Sequence, residues 1–564
     1  MPLTPVKKLF DTSQRIIDRQ HNTILSAAVV ITGSSLLSAL FGLLRNRLLL
    51  SRFFSTPQLQ QQLDAYWVAF RLPELAFQLL VIGALSAAFI PVYARYRKES
   101  ESEANALAST MMNLVSLTFL VISAIVFVFA RPLNELITAQ NFTPEQLDLT
   151  VNLTRIMLLS QLFFAFSNFL TGIIQAHQRF LIPALSPIAY NLGIIGGIVV
   201  LTPFIGIYSA AVGVVIGALF HLLLQFPQAR KLGFRYSIAI NLKHPGVKSM
   251  IRLMPPRTLA LAVNQIELFV GVFLATALPA GSLTIVNIAQ QLLSAPVRIF
   301  SAPIGQASLP FLSREAADGE LANFRNTFIS SFLQTMFLTL PTSALLLILR
   351  IPLVRLAYGS AQFPWQATVL TGRTLAVLSL SLFALGGLQV VNRAFYALHN
   401  TKIPFVVAII SATMYVVGAS LSVFVFKWNV VGLGLIMSIA SISQFVILLL
   451  LLLKKIDGFA AKMLIKPMAK MISASLLMAV CLWIPMRLLD NVLDTTRVVP
   501  LILLTVLASL SGALVYLGFA KVLHIKELAI FMELLKKVGN WRSVLTKSDA
   551  VLEIPTQSQD IKPL

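Results

Sequence analysis

About fourteen apolar stretches of roughly 20 residues or more take up most of this 564-residue chain. A hydrocarbon core of about 30 Å is crossed by about 20 apolar residues as a helix, so each stretch can span a bilayer. The chain reads as an all-α polytopic membrane protein. The expected spans lie near 24–44, 65–92, 106–130, 151–175, 182–203 and 206–226, then 256–278, 282–312, 326–349, 369–397, 403–426, 430–453, 468–486 and 498–520. A soluble bundle keeps a polar face on most of its helices. With 12% charged residues and a mean hydropathy of +0.82, this chain lacks the side chains to make those faces.

The 44 Lys and Arg against 22 Asp and Glu could form a nucleic-acid footprint, so their placement decides the matter. With the amino terminus set in the cytoplasm, most basic residues fall on cytoplasmic segments, the usual insertion bias. Residues 227–257 carry Arg230, Lys231, Arg235, Lys243, Lys248, Arg252 and Arg257, whereas 131–148 hold Arg131 with Glu135, Glu145 and Asp148. Both termini are then cytoplasmic. The basic excess serves topology and attraction to anionic lipid headgroups, and no nucleic-acid partner is expected.

Cys481, the single cysteine, lies in an apolar span and can form no intramolecular disulfide. Residues 1–23 resemble an amphipathic cytoplasmic segment without a small-residue cleavage site, so no cleaved signal is expected. Beyond about residue 521 a basic amphipathic stretch through Lys536, Lys537 and Arg542 leads to a polar tail. No phosphate-loop, H-E-x-x-H or G-x-S-x-G motif occurs, and the six His do not cluster. Gly213 with Gly217, and Gly193 with Gly196 and Gly197, are small-residue patterns expected to pack helices.

The segment Gln175-Ala176-His177-Gln178-Arg179-Phe180-Leu181-Ile182-Pro183 has a counterpart in Tyr396-Ala397-Leu398-His399-Asn400-Thr401-Lys402-Ile403-Pro404. At nearly the same offset, Pro91 to Arg95 corresponds to Pro310 to Arg314. Two matches in register predict two six-span halves, and six being even, the halves share one orientation. A parallel repeat of this kind places a substrate site between its lobes. The expected division is an N-lobe over 24–226, a basic linker over 227–255, a C-lobe over 256–453, two further spans within 454–520 and a tail over 521–564.

A charge at the bilayer centre costs about 2.5–3.5 kcal/mol on insertion scales, so charged residues inside spans belong at a cavity or a partner. The densest group is Arg45, Arg47, Arg52, Asp64, Arg71, Glu74 and Gln78; span seven adds Arg257, Asn264, Gln265 and Glu267, and span eight Gln290, Gln291 and Arg298. Arg47, Arg52 and Arg257 fit snorkelling to headgroups. Arg71 and Glu74 fit an ion pair three residues apart. Glu267 sits among Ile266, Leu268, Phe269 and Val270, open to structural pairing or to ion coupling.

The runs Ser38-Ala39-Leu40-Phe41-Gly42-Leu43-Leu44-Arg45, Asp64-Ala65-Tyr66-Trp67-Val68-Ala69-Phe70-Arg71-Leu72-Pro73 and Gly83-Ala84-Leu85-Ser86-Ala87-Ala88-Phe89-Ile90-Pro91 resemble the opening of the MurJ (MviN) family. Arg252-Leu253-Met254-Pro255-Pro256-Arg257 and the segment from Ala289 to Pro310 are similar to its seventh and eighth spans. The resemblance implies a lipid II flippase of the MOP exporter superfamily. It further implies two six-helix lobes about a cationic cavity, and two extra helices forming a groove for the lipid tail. The chain departs from the family pattern S-R-x-x-G-x-x-R-D, with Ala39 and Asn46 for its first Arg and its Asp. Phe77 and Gln78 replace an arginine pair, Ile82 an acidic residue, and Gln291 the Arg of A-D-R-L.

The expected function is outward flipping of a lipid-linked anionic peptidoglycan precursor, lipid II foremost, across a bacterial cytoplasmic membrane by alternating access. Arg45, Asp64, Arg71, Arg257, Gln291 and Arg298 are the expected substrate-binding residues, and Glu267 is the ion-coupling candidate. No catalytic residue, metal or cofactor is expected; Na+, H+ or the membrane potential would drive transport. Two alternatives stand beside this. One is a solute or drug antiporter of the same superfamily. The other is a transport-inactive scaffold for cell-wall synthesis proteins, in line with the lost arginines.

Overall fold

The computed structural model describes residues 24–82, 89–456 and 462–539, with side chains for all of them except 24–32, Ile82, Pro91, 253–264, Lys462 and 534–539. Residues 1–23, Gly83 and Arg542 thus lie outside the described residues, as do the side chains of Arg257, Asn264, Lys536 and Lys537. Every regular element among the described residues is helical. The first half comprises α1 (Ile24–Phe53), α2 (Pro57–Ala69), α3 (Arg71–Phe77), α4 (Ile90–Glu99), α5 (Glu101–Val128), α6 (Ala130–Ile137), α7 (Pro144–Ala176), α8 (Leu181–Ile205) and α9 (Tyr208–Lys231). The second comprises α10 (Pro245–Thr276), α11 (Ser282–Pro296), α12 (Ala302–Ala317), α13 (Leu321–Ile348), α14 (Arg350–Tyr358), α15 (Trp365–Ser379), α16 (Leu382–Ala397), α17 (Lys402–Ser420) and α18 (Val430–Lys455). Then follow α19 (Lys462–Val492), α20 (Val498–Val522) and α21 (Glu527–Gly539).

Ten of these are long and apolar enough to cross a bilayer, or eleven with α15 and α16, a pair bent by 42° where one span was expected. The other three expected spans fall on α1, on the broken run from α2 to α4, and on α10. Each includes residues whose side chains lie outside the description, and the second also includes 83–88, which are not described at all.

The paired motifs adopt paired geometry. α7 ends at Gln178 with φ of 57°, and Arg179 N donates to Ile174 O at 3.2 Å; α16 ends at His399 with φ of 52°, and Asn400 N donates to Phe395 O at 2.9 Å. Both are left-handed helix terminations in which a six-residue loop satisfies an otherwise free carbonyl. Each leads to a helix with proline as its third residue, Pro183 in α8 and Pro404 in α17. A third match was not expected from sequence. Short π-helical segments, Gln78–Ile82 and Val297–Ser301, interrupt the second and eighth spans, starting 219 residues apart.

Glycines set the closest helix approach. A methyl group on Gly193 would lie 2.4 Å from the Gly217 Cα, and one on Gly197 would lie 2.5 Å from the Gly213 Cα, so α8 and α9 meet backbone to backbone. Gly196, grouped with them in the sequence, has nothing within 4 Å. It faces away because α8 turns about 100° per residue.

One apolar core joins the halves at the end of the molecule bearing residues 138–142 and 276–284. It includes Phe54, Tyr66, Leu153, Leu283, Tyr358 and Phe363, with the Phe54 and Phe363 rings 5.3 Å apart. The opposite end keeps separate cores, one in the N-lobe around Phe89, Tyr93 and Phe169, one in the C-lobe around Phe328, Phe332 and Phe445. α20 belongs to the C-lobe, where Tyr516 Oη donates to Phe337 O at 2.8 Å.

Candidate functional site

Halves whose shared apolar core lies toward one end leave space between them. A cavity of about 470 Å³ is lined by α1, α2, α3, α7, α8, α9 and α11. Arg71 and Asn287 also line a neighbouring cavity of about 320 Å³, with Glu267, Gln290 and Tyr415.

Arg45 is held by amides. Its Nη1 donates to Asn191 Oδ1 at 3.2 Å and its Nε to Asn46 Oδ1 at 3.1 Å. Asn191 is fixed in turn by Ser38 and Pro187. Asn46 Nδ2 donates to Gln291 Oε1. Two departures from the family pattern are therefore in contact. Where the pattern has an Asp and an Arg, this chain has a neutral amide pair across α1 and α11, and one cation is lost together with one anion.

Arg71 is largely buried. Its Nη2 donates to Asn287 Oδ1 at 3.0 Å and its Nη1 lies 3.9 Å from Glu74 Oε2. Arg71 Nε, Trp67 Nε1 and Asn287 Nδ2 are buried without any acceptor. A buried donor left unpaired costs about 1–3 kcal/mol, and all three residues line the larger cavity. Of the charged residues lining it, two are cationic, Arg45 and Arg71, and one is anionic, Glu74. It carries a positive excess, and three donors without acceptors lie buried in its wall.

The N-lobe wall is aromatic and amide-rich. Phe164 meets Tyr190 at 5.0 Å and His221 at 5.2 Å, both edge-on. Ser167 Oγ lies 2.5 Å and Gln225 Nε2 3.2 Å from His221 Nδ1, while Gln225 Oε1 accepts from Thr171 Oγ1 at 2.7 Å. An amide N–H can only donate, so Nδ1 accepts and the ring proton resides on Nε2.

Asp64, expected to bind substrate, does not line this cavity. Its Oδ2 accepts from Gly281 N at 2.7 Å, and its Oδ1 from Thr284 N at 2.9 Å and Thr284 Oγ1 at 2.6 Å. An N-lobe carboxylate thus caps the N-terminus of C-lobe helix α11, where free N–H groups favour an anion. Ala139 N to Thr276 Oγ1 at 3.0 Å and Asn141 Nδ2 to Ala277 O at 2.6 Å close the same end. Sequence could not show this, because the partners lie 217 and 220 residues away.

Gln291 lines the cavity as the amide partner of Asn46. Arg298 instead lines a separate crevice of about 460 Å³ with Ser35, Ser38, Ala39, Gln175 and Pro183. It brings a cation to the crevice where Ala39 stands in place of the family's Arg. Trp67, Asn287, Asn191 and His221 were not singled out beforehand, because an indole, amide or imidazole inside a span reads equally well as packing until its partners are seen.

Two helical lobes around a cavity define the class: a two-lobed multi-pass membrane protein built as transporters are. Residues 59–505 match the family profile described as lipid II flippase MurJ, and the chain belongs to that family. A probable lipid II flippase MurJ of Bdellovibrio bacteriovorus is 28% identical over 472 residues, covering 83% of this chain and 89% of that protein. A lipid II flippase MurJ of Burkholderia cenocepacia is 27% identical over 401 residues, covering 68% and 76%. A solved lipid II flippase MurJ in an inward closed conformation superposes with a TM-score of 0.71 at 24% identity, over 88% of this chain and 98% of its own. An inward-facing multidrug resistance MATE transporter of the MOP superfamily gives 0.60 at 14% identity, over 75% and 95%.

Proposed function

We propose that this protein flips a lipid-linked, pyrophosphate-bearing peptidoglycan precursor, lipid II or a close analogue, to the outer leaflet of a bacterial cytoplasmic membrane. The observation that carries this reading is the set of unpaired donors, Arg71 Nε, Trp67 Nε1 and Asn287 Nδ2, beside Arg45 in a cavity with a positive excess. A pyrophosphate supplies the acceptors these groups lack, and guanidinium suits it by its forked geometry. Aromatic rings and amides on the facing wall suit sugar hydroxyls. Arg298 serves at the crevice beside Ala39, receiving a headgroup before it reaches Arg45.

In this reading both termini and the basic segment 227–257 are cytoplasmic, so the end sealed through Asp64 faces outward. The protein is a transporter rather than an enzyme. Glu267, on the second cavity with Arg71, couples flipping to Na+, H+ or the membrane potential. An antiporter for cationic drugs fits a cavity with a positive excess poorly. A scaffold for cell-wall synthesis proteins draws support only from Ala39, Gln78 and Gln291. Complementation tests the reading: expressed in cells depleted of their own lipid II flippase, the protein should restore outer-leaflet lipid II, and failure at matched expression would leave the antiporter and scaffold readings.

A further inference from the structure

The segment joining the lobes does not run freely through the cytoplasm. It is clasped to one face of α5 by polar side chains: Asn105 Nδ2 donates to Gly233 O at 3.0 Å, and Asn113 Nδ2 to Ser237 O at 2.8 Å and Ala239 O at 3.2 Å. Ser109 Oγ accepts from Ser237 N at 3.1 Å and Thr110 Oγ1 from Asn241 N at 3.3 Å, while Tyr236 Oη donates to Asn113 Oδ1 at 2.6 Å. His244 Nε2 then lies 3.1 Å from Glu103 Oε2. Along α5 the partners run from 105 to 113 and back to 103, so the segment descends, turns near Ile238 and climbs out.

Depth follows from helix geometry. A core of about 30 Å, counted back from Val128 at 1.5 Å per residue, reaches about Ser109. Asn113 is one turn further in, about 6 Å below that boundary. The turn exposes apolar side chains: Ile238 is 82% exposed, with Tyr236, Ile240 and Leu242 also open. Irregular backbone enters hydrocarbon only where its polar groups are satisfied, and Asn113, Ser109 and Thr110 satisfy the carbonyls of Ser237 and Ala239 and the N–H groups of Ser237 and Asn241. Arg230, Lys231, Arg235, Lys243 and Lys248 flank the dip, placed for anionic headgroups.

We propose that residues 232–244 form a re-entrant wedge whose Ile238 tip is inserted among the acyl chains of the cytoplasmic leaflet, with a basic collar on anionic lipid headgroups. The proposal rests on the function above only for the name of the leaflet. The wedge also fixes the linker to the N-lobe: Val247 and Met250, past its end, are buried in the N-lobe core with Ala104 and Leu107. The two lobes are thus tethered C-terminal to Met250, not at the linker.

The test places one spin label at a time in full-length protein, in a Cys481→Ser background, in vesicles of phosphatidylcholine and phosphatidylglycerol. A label at Ile238→Cys should collide preferentially with dissolved oxygen, with an oxygen-to-nickel-chelate ratio several-fold above that at Lys243→Cys. Adding Asn113→Leu should release the clasp and lower that ratio at position 238. A label at 238 open to the aqueous chelate places the segment in the cytoplasm, and one shielded from both reagents places it against protein; either result overturns the proposal. Lipid II flipping by the same preparation is read separately, so failure of the wedge and failure of the flippase reading stay distinguishable.

Discussion

Arg45 and Arg71 divide one task. Arg45 is presented by Asn46 and Asn191, and Arg71 keeps an unused Nε beside Trp67 and Asn287. Hydrogen bonds to charged groups contribute about 1.5–3 kcal/mol each, so losing either guanidinium should lower headgroup affinity by about tenfold or more. Arg45→Ala should abolish outer-leaflet exposure of lipid II at matched expression, and Arg45→Lys should restore it only in part. Wild-type flipping by Arg45→Ala would remove Arg45 from the site. The Asn46–Gln291 pair gives a sharper test. Asn46→Asp alone sets a carboxylate against Arg45 and should depress flipping, whereas Asn46→Asp with Gln291→Arg restores the family's opposite charges and should recover it. A double variant no better than the single would show that the two positions are uncoupled. Both arginines were legible in the sequence because a charge stands out in an apolar span. Trp67 and Asn287 were not, since an indole or amide there reads equally well as packing until its donor is seen to lack an acceptor.

The elements are held by different means at different places. α8 and α9 depend on missing side chains: a Cβ on Gly217 would lie 2.4 Å from Tyr190 O, a backbone atom that cannot step aside. Overpacking of this kind costs about 1–3 kcal/mol, so Gly217→Ala should lower the unfolding temperature in detergent, while Gly196→Ala should leave it unchanged. Equal effects would show that the two helices yield easily. The glycine pattern was legible as a spacing. Which glycines meet was not, because that depends on the rotation of one helix about the other. The repeat was likewise legible at Pro183 and Pro404, where chemistry enforces a turn, but not at the π segments, whose extra residue has no residue-type signature.

At the scale of the whole molecule, Asp64 carries a closure that joins the lobes. Three donors from the C-lobe converge on a single N-lobe carboxylate. Asp64→Asn removes the charge that favours a helix N-terminus and replaces one acceptor with a donor. Labels on the 138–142 and 276–284 segments should then report a larger separated population, about tenfold for each 1.4 kcal/mol lost. An unchanged distance distribution would place the closure in the shared apolar core instead. Glu267→Gln should weaken the dependence of flipping on the ion gradient while the protein still folds and inserts; undiminished dependence would make Glu267 structural.

The π segments at Gln78–Ile82 and Val297–Ser301 bear on how such a closure can open. Each crowds one surplus residue into a helix turn, and at Val297–Ser301 the helices on either side, α11 and α12, are thereby out of phase with each other. A helix built this way can pass its surplus along by one position, rotating the portion beyond it without breaking the rod. Both lobes carry this joint at corresponding positions of the repeat, in the spans that bear Arg71 and Gln291. The molecule therefore resembles a pair of hands with matched wrists: each can turn its palm toward or away from the cargo while the forearms stay still.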